Sequence, residues 1–314
     1  MPRAAFPRSP RPTPSHAAGH DGIALVLVLC ALLVLSFVVI SLARRVDQSV
    51  FLAGRELHAL DSRALAFTGA QYALHPQSTV RTPVLRSQTG RGRSYQARII
   101  GEGGKLQLNW ALAGEDPAKV DLLKEYLRLK GLKAEECDVF VDCLLDFTTP
   151  GNVHHLNGSQ TAIDGAPVPG KPFGDLSEVR RVVGNEPLTR QPNWENGFTL
   201  YSQGPIDLKW ADEDLIGALP GVGRDRARAF IQRRQGPDKL DGTPDDYPMN
   251  TVADAAALLG FNQGTLAQLQ SLLGVNDPTV RIISEGRALD TSRTIEVVAR
   301  KTGMQPQILQ WKEY

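Results

Sequence analysis

An excess of charge of either sign is missing from this sequence. Its 314 residues include 35 basic and 34 acidic side chains, a formal net charge of +1. A chain without an overall field does not attract nucleic acid or anionic lipid by charge alone, so any such binding has to come from a local patch. The apolar content of 42% fits a folded protein rather than a disordered one.

Cysteine is scarce, with three residues in the whole chain, and Cys30 lies in an apolar run. No CxxC or paired Cys/His spacing occurs, which excludes the common zinc motifs. Cys137 and Cys143 fall in a segment of helical pattern, where a spacing of six residues separates side chains by about 9 Å along the axis, too far for a disulfide. We therefore expect reduced, structural cysteines.

Catalytic signatures are also missing. The sequence contains no GxSxG, no HExxH, no P-loop and no GxGxxG between a strand and a helix. Most carboxylates fall on predicted helix faces or in turns, where solubility and helix capping account for them. We expect no enzymatic activity and assign no catalytic residue.

One long apolar run is present. The 20 residues from Ile23 to Leu42 carry no charge, which is the length of helix that crosses about 30 Å of hydrocarbon. Residues 1–22 hold five prolines and three arginines without periodicity, the composition of a leader or a tail. The sequence predicts a transmembrane helix at 23–42. A cleaved secretory signal peptide is the alternative, although the cleavage site it needs after the run is weakly signalled.

The helix is expected to continue beyond the apolar run. Residues 44–74 contain neither proline nor strong turn signals and carry a loosely helical apolar stripe. His75 precedes Pro76, and the residue before a proline is pushed out of the α region, so the helix should end there. We predict one helix of about 50 residues and about 75 Å, with 43–76 outside the membrane. The stripe consists of Val46, Val50, Leu57, Leu60, Ala64, Leu65 and Leu74.

Strand patterns occur at both ends of the remaining sequence. After a linker at 77–93, alternating apolar residues predict two strands that form a hairpin through Gly103 and Gly104. The last 36 residues return to the same alternation. We expect a small antiparallel sheet, completed by N- and C-terminal segments around a helical insert. The alternating residues are Tyr95, Ala97, Ile99, Leu106 and Leu108, and then Val280, Ile282, Ser284, Ile295, Val297, Ala299, Ile308 and Trp311.

The pattern between these strands is helical. Apolar spacing predicts helices at 117–129, 134–147, 176–183, 252–259 and 266–273, with an extended stretch at 198–206. The most distinctive motif is a short helix, a tight turn and a second helix that ends at Arg233 and Arg234. Glycine suits such a turn because it allows positive φ. The motif is a helix-hairpin-helix (SAM-like) element, and its turn is Pro220, Gly221, Val222 and Gly223.

The net charge of this element distinguishes a nucleic-acid partner from a protein partner. Helix-hairpin-helix turns bind nucleic-acid phosphates in many proteins, but residues 211–234 hold five arginines against four acidic residues, a balance of +1. Each neutralised phosphate needs its own cation, so a DNA-binding surface should carry a larger excess of positive charge. We expect the element to pack against protein, with no nucleic-acid partner.

Two polar loops contain candidate metal ligands. Asp241, Asp245 and Asp246 cluster with Asp238 around Gly242, and such carboxylates can supply oxygen ligands to calcium, although the EF-hand spacing is absent. A solvated loop is the alternative interpretation. The adjacent histidines in the second loop are expected to face solvent rather than a metal. These histidines are His154 and His155.

An apolar helix that continues as an amphipathic one resembles the N-terminal part of type IV prepilin-like proteins. In that family a prepilin peptidase cuts after a glycine just before the apolar run, which here corresponds to Gly22 and leaves Ile23 as the new N-terminus. Major pilins carry glutamate at the fifth mature position, where this chain has Leu27. The missing carboxylate resembles one minor class, general secretion pathway protein K. Segments at 102–109, 141–147, 172–184, 198–208 and 218–223 resemble that class in the same order.

The resemblance implies a non-enzymatic minor pseudopilin at the tip of a type II secretion pseudopilus, with small partner pseudopilins resembling those called I and J. It implies a single-pass inner-membrane protein with a cytoplasmic N-terminus and a periplasmic head. The expected fold is α+β, with a leader at 1–22, the anchor helix at 23–42 and 43–76, first strands at 77–111, a large α-helical insert at 112–275 and last strands at 276–314. A membrane-tethered DNA receptor of a competence system and a single-pass scaffold never cut at Gly22 are the alternatives.

Overall fold

A computed structural model describes residues 21–90, 92–151 and 154–314. Residues 1–20, which hold most of the predicted leader, lie outside the described residues. The chain divides into two compact units at the boundary between Leu57 and His58. The helices are α1 (Asp21–Leu74), α2 (Leu108–Leu112), α3 (Pro117–Leu129), α4 (Ala134–Thr148), α5 (Glu186–Thr189), α6 (Glu213–Gly217), α7 (Gly223–Arg234), α8 (Val252–Leu259) and α9 (Gln263–Leu269).

The strands form one larger sheet and two short pairs. The larger sheet has the order β1-β2-β7-β8-β9, and all of its pairings are antiparallel. Strands β3 and β4 pair in parallel, as do β5 and β6. The strands are β1 (Arg86–Gln88), β2 (Arg93–Gly101), β3 (Leu106–Gln107), β4 (Phe198–Thr199), β5 (Ile206–Asp207), β6 (Leu273–Gly274), β7 (Thr279–Ala288), β8 (Thr291–Arg300) and β9 (Gln307–Glu313).

The larger sheet joins two segments that are far apart in sequence, one at residues 86–101 and one at residues 279–313. Strand β2 pairs with β7 from Arg93 opposite Ala288 to Gly101 opposite Val280. This pairing confirms the predicted sheet, built by N- and C-terminal segments with helices between them. The boundaries of the helical insert at 112–275 stay a prediction.

The last turns of α1 pack on this sheet through small side chains. Ala66, Ala70 and Ala73 are fully buried against apolar residues of β2, β7 and β8. Gly286 of β7 lies so close to α1 that a Cβ there would collide with the carbonyl oxygen of Ser62. Small residues on both sides therefore let the helix and the sheet approach closely.

Helix boundaries follow the capping signals in the sequence. Asp116 accepts a hydrogen bond from the backbone N of Ala118 at 3.0 Å and caps α3. Thr251 and Asp254 form a reciprocal capping box at the start of α8, which ends at Gly260 with φ of +74°. Helix α1 ends at Leu74, just before the His75–Pro76 pair, as predicted. The helices α3 and α8 have the bounds that the apolar spacing predicted.

The predicted hairpin through Gly103 and Gly104 is wrong. The chain passes through a 3-10 turn at Glu102–Gly104 into the two-residue strand β3, which pairs with β4, and Leu108 begins α2. Neither glycine has positive φ. A Cβ on Gly104 would instead collide with the backbone of Trp210, so the glycine provides close approach rather than a β-turn.

Three further predictions need smaller corrections. The linker at 77–93 contains the edge strand β1, paired with β2. The helix predicted at 176–183 is a 3-10 helix at Leu176–Arg181, capped by Asp175. The extended stretch at 198–206 is interrupted, because its two ends pair with different strands, β3 and β6.

Candidate functional site

Helix α1 presents apolar side chains to its surroundings over most of its length. Within the first unit, large apolar residues from Leu25 to Val46, and then Phe51 and Leu52, are exposed. By its length and composition α1 is a candidate membrane span, with a window of mean hydropathy 3.2. A helix with such a surface is stable where lipid or other apolar helices cover it.

In the second unit the same helix has two different faces. The face made by Ala66, Ala70 and Ala73 packs on the sheet, whereas Leu60 and Phe67 are 62% and 47% exposed. Ala64 lies between the last two along the helix and is also exposed. Residues spaced by three and four share one helix face, so an apolar strip remains open for a partner of the same character.

Polar contacts from the end of the chain hold the last turns of α1. The ammonium group of Lys301 donates to the carbonyl oxygens of Ala73 and Ser78 at 3.1 and 2.7 Å. Burial lowers the pKa of Lys301. Arg63 donates two hydrogen bonds to Glu313, at 2.7 and 3.1 Å. Helix α1 has no basic residue in its last turn, so Lys301 supplies the cation that suits a helix C-terminus.

The helix pair α6 and α7 lies where the sequence predicts it. Asp212 caps α6 through the backbone N of Leu215, at 2.7 Å. In the turn, Gly221 and Gly223 have φ of +76° and +72°, which a residue with a Cβ adopts at a cost. The turn Pro220, Gly221, Val222 and Gly223 therefore has the tight geometry expected of it. The assignment of this pair to the helix-hairpin-helix class stays a prediction, and so does its expected packing against protein rather than nucleic acid.

Four of the five arginines of this helix pair have partners within the protein. Arg228 pairs with Glu213 at 2.8 Å, and Arg224 pairs with Asp214 at 3.1 Å. Arg234 is buried and donates to the carbonyl oxygens of Leu208 and Ala211. Cations that already neutralise carboxylates and carbonyls are poorly placed to follow a phosphate backbone. The geometry favours packing between protein elements.

The carboxylates of the acidic loop accept hydrogen bonds from other groups of the protein. Asp241 accepts hydrogen bonds from Arg234 and Gln235, at 2.9 and 3.0 Å. Asp246 accepts from the backbone N of Gly242 at 2.6 Å. Hydrogen bonds from Thr243 and from the backbone of Asp238 lower the pKa of Asp245.

This loop does not fit a calcium ion in the described arrangement. The guanidinium of Arg234 occupies the position beside Asp241 that a cation would need. Within residues 21–90, 92–151 and 154–314, no group of three or more His, Cys, Asp or Glu side chains could hold a metal ion. Calcium binding by Asp241, Asp245 and Asp246 stays an untested prediction.

A buried ion network, which sequence reasoning missed, joins the sheet to the helical insert. Glu102 is fully buried and accepts hydrogen bonds from Arg281 at 2.6 and 2.9 Å and from Thr199 at 2.7 Å. Arg281 also pairs with Glu296. Burial opposes ionisation of Glu102, but the hydrogen bonds from Arg281 and the nearby charge of Lys105 outweigh it and lower its pKa. These partners come from β4, β7 and β8, far apart in sequence.

The two loop histidines differ in their surroundings. His154 is exposed, as expected. The prediction for His155 is wrong, because its ring contacts buried Asp146 at 2.6 Å and Glu115 at 3.4 Å. Nothing in the local sequence distinguishes the two histidines, since the carboxylates come from α4 and from the turn before α3.

The cysteines of α4 are free and buried, as predicted. Burial raises the pKa of both thiols, Cys137 and Cys143, to about 11. A thiol with such a pKa is protonated at neutral pH and is a poor nucleophile. These residues therefore belong to the core of the insert.

Comparison with known proteins gives evidence at the level of structure alone. No protein-family model matches the sequence, and no curated protein matches it. Among solved structures, the chain is similar to a chain of "The Crystal Structure of the GspK-GspI-GspJ complex from enterotoxigenic Escherichia coli Type 2 Secretion System". The match has a TM-score of 0.56 at 15% identity and covers 87% of this chain and 98% of that chain. The expected α+β fold is thereby confirmed, and the protein shares its fold with a chain of a type II secretion complex.

Proposed function

We propose that this protein is a minor pseudopilin of a type II secretion system, of the class called general secretion pathway protein K. The observation that carries the proposal is the fold match, which has a TM-score of 0.56 and covers 87% of this chain and 98% of the other chain. The apolar helix α1 supports the proposal, because a pseudopilin is anchored in the membrane before it assembles. The protein assists export as a structural part rather than as an enzyme.

The proposed location follows from the two halves of α1. Residues 23–42 cross the inner membrane once, with the N-terminus in the cytoplasm and the head in the periplasm. A prepilin peptidase removes the leader after Gly22 and leaves Ile23 as the first residue. The mature protein then assembles with small pseudopilins resembling I and J, with which the GspK chain of the solved structure is in complex.

The position at the tip is proposed on two features. A large helical insert next to the sheet hinders the addition of a further subunit above it. Leu27 stands where major pilins carry a glutamate, so the chain lacks the charge that would pair with the N-terminal amine of a neighbour. A subunit that cannot accept a successor is suited to begin a filament rather than to continue it.

The exposed strip of α1 provides the first test. Replacing Leu60 with glutamate places a carboxylate where an apolar partner helix would pack, and we expect co-purification of the full chain with I- and J-like pseudopilins to weaken about tenfold or more. Leu60 is 62% exposed, so the head should fold unchanged. The measurement is recovery of the complex from detergent-solubilised membranes.

The matched control for this test is Leu240→Glu. Leu240 is 60% exposed and lies in the acidic loop rather than on α1, so the same substitution should leave the complex intact. Equal recovery of the complex with L60E and with the unchanged protein would contradict the proposed packing surface. Failure of the unchanged protein to form any complex would count against the proposed function itself.

Processing provides a second test. N-terminal sequencing of the protein extracted from membranes should give Ile23 as the first residue in cells that contain the peptidase, and Gly22→Leu should leave the leader attached. A leader retained in the unchanged protein would favour the alternative of an unprocessed membrane scaffold. A head released without its apolar helix would favour the secretory signal peptide.

A further inference from the structure

Asp146 is a buried carboxylate with a single cationic neighbour in the described part of the chain. It lies on α4 and is 1% exposed. Its Oδ1 atom accepts hydrogen bonds from the backbone N of His155 at 3.1 Å and contacts the ring Nδ1 at 2.6 Å. Its Oδ2 atom is buried without a hydrogen-bond partner. Gly158 packs against this carboxylate where no Cβ would fit.

The imidazole of His155 lies between two carboxylates. Its Nε2 atom is 3.4 Å from Glu115, which precedes α3. Among the ion pairs of the described residues, neither Asp146 nor Glu115 has a lysine or arginine partner. Both groups that contact the ring nitrogens are therefore carboxylates, and a protonated ring is the cation that offsets them.

The same loop covers a thiol. Asn157 donates from its backbone and side chain to Asp142, at 3.1 and 3.0 Å. The Cys143 thiol donates to the carbonyl oxygen of Asn157 at 3.5 Å. Cys143 is 2% exposed. These polar contacts hold the segment 154–158 on α4, where the charge of the buried Asp146 has to be compensated.

We propose that His155 is a pH-sensitive latch: its imidazolium form holds the segment 154–158 on α4, and loss of its proton releases the segment and uncovers Cys143. The latch consists of His155, Asp146 and Glu115. It needs neither a membrane nor a partner, so it stands independently of the proposed function.

The direction of the pH dependence follows from the pKa. Burial opposes protonation of His155, but hydrogen bonds to Asp146 and Glu115 and the charges of both carboxylates outweigh it and raise the pKa above 6.5. A raised pKa in the folded state means that the contribution to stability is fully present below the unfolded pKa. It is lost as the pH rises through the folded pKa. The latch is closed in acid and opens on the alkaline side.

The two buried thiols provide an internal ratio that tests the latch. Burial raises the pKa of Cys137 and of Cys143 to about 11, so Cys137 serves as a buried reference thiol that the segment 154–158 does not contact. In the full chain in detergent, the rate for Cys143 relative to Cys137 should rise between about pH 6 and about pH 9, by about tenfold for each unit by which the pKa of His155 exceeds its unfolded value. Peptide mass spectrometry separates the two sites.

Two variants and one direct measurement decide the outcome. In His155→Gln the ratio should be high already at about pH 6 and independent of pH, whereas His154→Gln, the exposed neighbour, should behave as the unchanged protein. A flat ratio in the unchanged protein, or the same rise in H155Q, overturns the latch. Because H155Q can fail to fold, an NMR titration of the His155 ring in the unchanged protein is the second measurement, and a pKa at or below about 6.5 also overturns it.

Discussion

Replacing Arg281 with methionine should lower the free energy of unfolding by about 3–5 kcal/mol, because it leaves the fully buried carboxylate of Glu102 without its guanidinium partner. The loss is large because Glu102 is fully buried, so water cannot readily replace the hydrogen bonds lost with Arg281. Urea denaturation of the full chain in a mild detergent, followed by tryptophan fluorescence, measures it.

An exposed ion pair provides the control for this result. Arg228→Met removes a pair with Glu213 whose two members are 57% and 34% exposed, and it should cost less than about 1 kcal/mol. Equal losses in the two variants would show that burial does not set the strength of the Glu102 network.

The pH dependence adds a second readout. The pKa of Glu102 is lowered from 4.5, so the stabilisation by its charge is fully present above about that value. It is lost as the pH falls through the lower pKa of the folded state. The difference between the unchanged protein and R281M should therefore shrink in acid, and a difference that stays constant below pH 4.5 would contradict the ion-pair explanation.

Substitution of Gly286 by alanine is expected to lower the free energy of unfolding by about 3 kcal/mol or more. Its new Cβ would meet the carbonyl oxygen of Ser62 and the backbone N of Ala66, both in α1. Backbone atoms of a helix cannot swing aside as a flexible side chain does, so α1 has to lift from the sheet. Thermal melting of the full chain in detergent, followed by circular dichroism, measures the loss.

The matched glycine is Gly303, in the turn between β8 and β9. A Cβ there has nothing within 4 Å, and Gly303→Ala should change the stability by less than about 0.5 kcal/mol. If G286A melted together with G303A, the close approach of α1 and β7 would not contribute to the stability of the head.

The sequence was sufficient for elements with long, regular patterns. Helix α3 was predictable because Asp116, Pro117 and its apolar spacing give the same start, and Gly131, with φ of +100°, gives the stop. Two long strands were predictable because β2 and most of β7 bury alternate residues in the sheet.

Features that depend on distant partners were not predictable. The strand β3 has two residues, too few for any alternation, and the four helices α2 to α5 separate it in sequence from its partner Phe198. The ion pair of Glu102 and Arg281 joins residues 179 positions apart. The sequence does not distinguish a glycine that allows close contact from a glycine that allows a turn. The segment at Gly103 was therefore mistaken for a hairpin.

The topology of the sheet also sets the order in which the head can fold. Three of its five strands, β7, β8 and β9, come from the last 36 residues, and Lys301 and Glu313 from the same stretch hold α1. While a ribosome is still making the chain, the helical insert can collapse on its own core, but β2 has its edge toward β7 uncovered. A protein with such long-range pairing folds late and is exposed to misassembly until synthesis ends.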